Sequence, residues 1–230
     1  MNFSALILAG GKSSRMGCDK AWLDVDGQPL IERQLALVRE LGAAEVFISA
    51  QPGTDYSALG CPVLADEFPN AGPLAGIERG LAASHSPLLL VLAVDLPRMK
   101  IGFLRKLGAA CGAMEGAVPE IGGQLEPLAA FLPKETHALA VQQLQVGRNA
   151  VHAFAAVCEA RGLLQRYPVI PADLPLLLNW NAPGDFPADG PRGEQARISR
   201  VGAKTECQSA IEALVGPIPI TCVHMPRRRS

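Results

Sequence analysis

The sequence predicts an α/β fold: a mostly parallel central sheet flanked by helices, with a small antiparallel hairpin. Three observations predict it. Short apolar runs of strand length alternate with stretches of helical periodicity, the pattern of βαβ connections. The run "LLLVLAV" (88–94) is apolar throughout, as expected of a strand buried on both faces. Gly122-Gly123 lies between two strand-like segments in "AVPEIGGQLEPLAAFL", a hairpin signal.

Residues 3–9 read as the first strand, apolar and followed by two glycines. "DVDG" (24–27) is a turn signal. Pro29 suits a first helical position, and apolar residues at 30, 31, 35, 38 and 41 recur at helical spacing up to Gly42. "EVFISA" (45–50) and "PVLAD" (62–66) read as strands two and three, and "GPLAGIERGLAAS" (72–84) as a helix. After the strand at 88–94 comes Asp95. Beyond the hairpin, helices are expected near 134–146 and 149–161, then a short strand near 168–171 and the segment "LLLNWNAPGDF".

The chain of 230 residues accommodates one large α/β domain with an appendage. Composition places the boundary near Phe186. Residues 1–186 carry 14 basic and 18 acidic residues, whereas residues 187–230 carry seven and four. The second segment reads as an extension: a linker, "PADGPRGEQ", a short helix over "TECQSAIEALVG" and a solvated Arg227–Arg229 end. A net charge of -1 offers no general attraction to nucleic acid or anionic membrane. No apolar run is long enough to span a bilayer, and no basic leader precedes the first run, which predicts a cytosolic protein. The six cysteines form no CxxC pair and the four histidines no HxxxH or HExxH, so reduced thiols and no histidine-based metal site are expected.

The stretch "LAGGKSSRMGCDK" (8–20) follows the first strand. Gly10 and Gly11 lack a Cβ, so their backbone can approach a ligand closely. Lys12, Arg15 and Lys20 supply cations, Arg15 as a fork and Lys20 as a compact charge. Neither GxxxxGK[ST] nor GxGxxG is present, which leaves another kind of nucleotide loop or a basic surface turn. Asp95 ends a buried strand, where a carboxylate is costly unless it meets a cation, a metal or a cleft. It reads either as a Mg²⁺ ligand shared with phosphates or as the cap of a following helix near Arg98. Trp22 and Trp180 read first as packing residues.

"LILAGGKSSRMGCDKAWLDVDGQPLIERQL", "DEFPNAGPLAGI" (66–77), "AVDLP" (93–97) and "LNWNAP" (178–183) together resemble the molybdenum cofactor guanylyltransferases. The resemblance covers residues 3–186 and implies a Rossmann-like nucleotidyltransferase fold. It implies transfer of GMP from Mg-GTP to the terminal phosphate of molybdenum-molybdopterin, with release of pyrophosphate. Residue by residue, it implies that Leu8, Ala9, Gly10 and Gly11 line the nucleotide and that Lys20, helped by Arg15, meets its phosphates. Asp66 would contact the guanosine and Asp95 would hold Mg²⁺. Asn179, Asn181 and Arg148 would lie on the pterin side. Ser49 stands where the family often has an asparagine that touches the nucleotide. Cys18 and "NAP" in place of "NTP" are further departures. Molybdenum-insertion and molybdoenzyme chaperone proteins are the implied protein partners. The rival readings are a related nucleotidyltransferase that uses CTP or a sugar phosphate, and a non-catalytic nucleotide-binding adaptor. "LAGG" rather than "LAAG" favours guanine among these relatives, and Asp95 with Lys20 favours an enzyme over an adaptor.

Overall fold

The computed structural model describes residues 1–10, 19–51 and 53–179. Expectations that fall on Gly11, Lys12, Arg15, Cys18 and residues 180–230, among them Trp180, Asn181, "NAP" and the boundary at Phe186, lie outside the described residues.

Within the described residues a mixed sheet forms the middle layer. Its strands are β1 (Phe3–Leu8), β4 (Val46–Ser49), β5 (Val63–Leu64), β6 (Leu88–Ala93), β7 (Gly116–Ile121), β8 (Gln124–Leu125), β9 (Ala129–Pro133) and β10 (Leu164–Pro168). Their spatial order is β10-β7-β9-β6-β1-β4-β5, with β8 paired to β7. Neighbours β6-β1, β1-β4, β4-β5 and β10-β7 are parallel, whereas β9 runs antiparallel to both β6 and β7. The Gly122-Gly123 turn is present, at φ of 57° and 86°, but its strands β7 and β8 belong to the main sheet. A separate two-stranded hairpin joins β2 (Asp24–Val25) and β3 (Gln28–Pro29). Its turn residues Asp26 and Gly27 sit at φ of 55° and 83°, the left-handed pair that a tight hairpin requires.

Helices α1 (Leu30–Leu41) and α3 (Ile101–Ala110) cover one face, and α2 (Pro73–Ala83), α4 (His137–Gln145) and α5 (Val151–Ala160) the other. Strand alternation assigns side chains to these layers. Phe3, Ala5 and Ile7 of β1 join Leu88, Leu90 and Leu92 of β6 under α1 and α3, while Leu6, Leu89 and Val91 pack under α2. Every residue of β6 is buried, as its apolar run predicts. Gly76 and Gly80 let α2 approach the sheet closely: a Cβ on Gly76 would meet Ser49 Oγ at 2.2 Å, and one on Gly80 would meet Leu6 Cδ2 at 2.7 Å.

Several boundaries differ from those read in the sequence. Pro29 precedes α1 rather than opening it, because its extended ψ of 142° keeps it in the β2-β3 ladder. The last strand covers 164–168, not 168–171; Val169 donates its N–H to the Glu120 carbonyl, and Ile170 leads into a 3-10 helix at Pro171–Leu177. Helix α3 was not foreseen over 101–110. Asp95 does not cap it, since α3 starts after Lys100. No helix among the described residues is long and apolar enough to cross a membrane.

Candidate nucleotide site

The sheet order reverses at β1. From β1 the chain crosses through α1 to β4 on one side, and later through α2 to β6 on the other. Such a switch point opens a crevice beyond the carboxyl ends of the strands. Here Leu8 of β1 pairs with Ser49 of β4 and with Ala93 of β6, so three strand ends stand abreast. Ala9 N–H donates to the Ser49 carbonyl, and Val94 N–H to that of Leu8, which fixes the backbone on leaving the sheet.

A cleft forms there, with about 670 Å³ of space that includes its open side. Leu8, Ala9, Gly10, Lys20, Ser49, Asp66 and Asp95 line it, together with Gly72 and Pro73 at the start of α2 and with Ala93, Val94 and Leu128. Seven residues singled out in the sequence are thus gathered from four separate segments. A Cβ on Gly10 would come no nearer than 3.6 Å to any described protein atom, and Gly10 is not in the left-handed region. Among the described residues nothing blocks a side chain here, and Gly10 lines the cleft, where its bare backbone lets a ligand come close. Gly72, by contrast, needs its backbone freedom: φ of 71° turns the chain into Pro73.

Asp95 is held at the cleft wall. Burial pushes its carboxyl above the usual range, and the Lys20 ammonium pulls it back. Asp66 is raised first by burial and then by the neighbouring Glu78, with Arg79 opposing. Its Oδ1 is buried and has no hydrogen-bond partner among the described residues. A buried acceptor of that kind is costly until a donor reaches it. Behind it, Glu78 is buried in α2 and pairs through Oε1 with His137 Nε2 at 2.8 Å. The sequence offered one signal for Glu78: it lies on the apolar stripe of α2, between Leu74 and Leu81.

No group of three or more histidine, cysteine, aspartate or glutamate side chains suited to a metal occurs among the described residues. A hard cation at Asp95 would take its other ligands from water or from phosphate oxygens. One carboxylate in a cleft beside a lysine fits Mg²⁺ held in that manner.

Arg148 and Asn179 are exposed and do not line this cleft. Arg148 lies in the loop before α5, and four residues later His152 Nδ1 meets the Leu125 carbonyl at 2.9 Å. That contact sets the start of α5 beside the β8 segment, at the same carboxyl edge of the sheet from which Leu128 enters the cleft. Gly72, Pro73, Ala93, Val94 and Leu128 were not singled out as site residues from the sequence. Gly72 and Pro73 lie in "DEFPNAGPLAGI" and Ala93 and Val94 in "AVDLP", whereas Leu128 has no local signal.

The MobA-like NTP transferase domain matches residues 5–162. A probable molybdenum cofactor guanylyltransferase of Opitutus terrae is 36% identical over 190 residues, covering 80% of this chain and 94% of that protein. The structure of molybdopterin-guanine dinucleotide biosynthesis protein A from Archaeoglobus fulgidus is similar, with a TM-score of 0.61 at 23% identity, covering 79% of this chain and 94% of that one. The 2-C-methyl-D-erythritol 4-phosphate cytidylyltransferase of Thermus thermophilus gives the same TM-score and identity, covering 80% and 95%. The fold alone therefore does not select the base.

Proposed function

Because the chain belongs to the MobA-like NTP transferase family, we propose that it transfers GMP from GTP to the terminal phosphate of molybdenum-molybdopterin and releases pyrophosphate. The observation that carries this reading is the single cleft holding Leu8, Ala9, Gly10, Lys20, Ser49, Asp66 and Asp95 at the switch point.

The strand-end backbone at Leu8–Gly10 would bed the nucleoside. Asp66 would accept from guanosine, whose base edge carries N–H donors that match the unpartnered Oδ1. Lys20 would meet the phosphates and draw charge toward the leaving pyrophosphate. Asp95 would hold the Mg²⁺ that accompanies GTP. When bound, that ion neutralises phosphate charge and polarises the α-phosphorus. The acceptor phosphate oxygen is already a nucleophile, so the new phosphoanhydride needs no protein base. It needs in-line placement beside the α-phosphate, which the two sides of the cleft would supply. Arg15 would assist Lys20. Arg148, Asn179 and Asn181 are assigned to the pterin side.

Nucleotide selection tests this reading. With GTP, CTP, ATP and UTP offered separately with Mg²⁺ and the molybdenum-molybdopterin acceptor, pyrophosphate release is expected with GTP. A clear preference for CTP would overturn the guanine assignment.

A further inference from the structure

Lys20 does not reach the cleft unaided. It opens a 3-10 turn, Lys20–Trp22, whose cap is Asp19. Asp19 Oδ1 accepts from the Ala21 N–H at 3.0 Å, and its carbonyl accepts from the Trp22 N–H at 3.1 Å. The other carboxylate oxygen, Oδ2, accepts from the Tyr56 hydroxyl at 2.5 Å. Tyr56 stands 37 residues further along, in the β4-β5 connection, and is only 1% exposed. Its ring lies 5.7 Å from that of Trp22. The connection is itself anchored, because Arg39 of α1 donates to the Leu59 carbonyl at 2.9 Å.

A phenylalanine at position 56 would fill the same space against Trp22. The hydroxyl adds a cost, because it must be buried, and that cost is offset only through its bond to Asp19. What the bond adds is direction. It ties the residue immediately before Lys20 to a buried side chain of the anchored β4-β5 connection, and a charge-assisted hydrogen bond holds geometry well.

We propose that Tyr56 is a positioning residue: through Asp19 it sets the turn that presents the Lys20 ammonium to the phosphates of the bound nucleotide. The inference rests on the reading above, in which Lys20 is the phosphate contact. Tyr56 itself touches no substrate. Burial and the Asp19 bond both raise the phenol well above its ordinary pKa, so it remains a donor throughout the working range.

The test compares two probes that share a base, Mg-GTP and guanosine, in equilibrium binding to the full chain. Tyr56→Phe is expected to weaken GTP about tenfold, the scale of one hydrogen bond to a charged group, and to leave guanosine unchanged. A purely structural role would weaken both probes together. In a Lys20→Ala background, Tyr56→Phe is expected to cost nothing further, since the two act in series. Asp19→Asn supplies a second variant. Removing a negative charge beside Lys20 would tighten GTP if charge alone mattered, which would overturn the tether, whereas the tether predicts weaker GTP binding, because the contact with Tyr56 is no longer charge-assisted. The tether is overturned alone if Lys20→Ala weakens GTP and Tyr56→Phe does not, or if Tyr56→Phe weakens GTP and guanosine equally. It falls together with the reading of the site if Lys20→Ala binds GTP as the wild type does.

Discussion

Replacing Asp95 by alanine is expected to lower guanylyl transfer by about 10²–10³-fold, the scale of removing one preorganised electrostatic group from a reacting centre. The fold should survive. Asp95 is an acid whose folded pKa lies above its unfolded value, chiefly through burial. The folded state therefore binds its proton more tightly than the unfolded chain. Stability from this group is present at low pH and declines as pH rises from the unfolded value through the raised one. At neutral pH the ionised form is the costly one, so Asp95→Ala should unfold at the same temperature as the wild type or somewhat higher. Activity runs the other way, because the metal-binding form is the carboxylate. The acid limb of the kcat/KM profile, which reports the free enzyme, should lie above the ordinary carboxylate range, and Asp95→Asn should abolish it. Steady-state rates across pH, with thermal unfolding of the same variants, check both halves. Wild-type turnover in Asp95→Ala would contradict the role given to this residue.

The second large effect concerns the sheet. A Cβ on Gly116 would fall 2.0 Å from the Phe131 carbonyl oxygen, 2.8 Å from Pro133 Cδ and 2.9 Å from Leu164 Cδ2. The nearest obstacle is backbone in β9, with side chains of β9 and β10 close behind, so no rotamer change relieves the clash. Gly116→Ala is expected to cost about 3 kcal/mol, at the upper end for overpacking, and to lower the midpoint of unfolding by about 6–12 °C for a domain of this size. Thermal unfolding followed by far-UV circular dichroism measures it. A midpoint within about 2 °C of wild type, well inside that scale, would contradict the pairing of β7 with β9. The same test bears on the site, because β9 enters the sheet just after Leu128, a residue of the cleft wall.

Much of this architecture was legible because the decisive elements are locally uniform. β6 is apolar at every position, and α1 keeps its helical spacing from Leu30 to a left-handed Gly42 at φ of 90°. β6 places Asp95, and the largely apolar β1 places the start of the glycine loop. The unforeseen parts depend on distant partners. β9 pairs antiparallel with β7, as the local hairpin signal suggests, but it also pairs on its other side with β6, some 40 residues earlier, which no local signal shows. α3 follows Lys100 with no side-chain cap and carries glycines at 102 and 108, so its start has no local signal. The candidate site divides along the same line. Residues just beyond strands β1 and β6 could be picked out by the abrupt change from apolar to glycine or aspartate. Tyr56 could not, because it becomes informative only through its partner Asp19, and Glu78 showed only as an acid on the apolar stripe of α2, its role set by His137 and Asp66.

The central claim is that Lys20 and Asp95, brought to one cleft by β1 and β6, grip a single metal-nucleotide between them. A crystal grown with GTP and Mn²⁺ and measured at the manganese absorption edge tests it most directly. The account predicts an anomalous peak bonded to an Asp95 carboxylate oxygen, with the triphosphate between that peak and the Lys20 ammonium. Manganese and triphosphate bound away from both residues would contradict it.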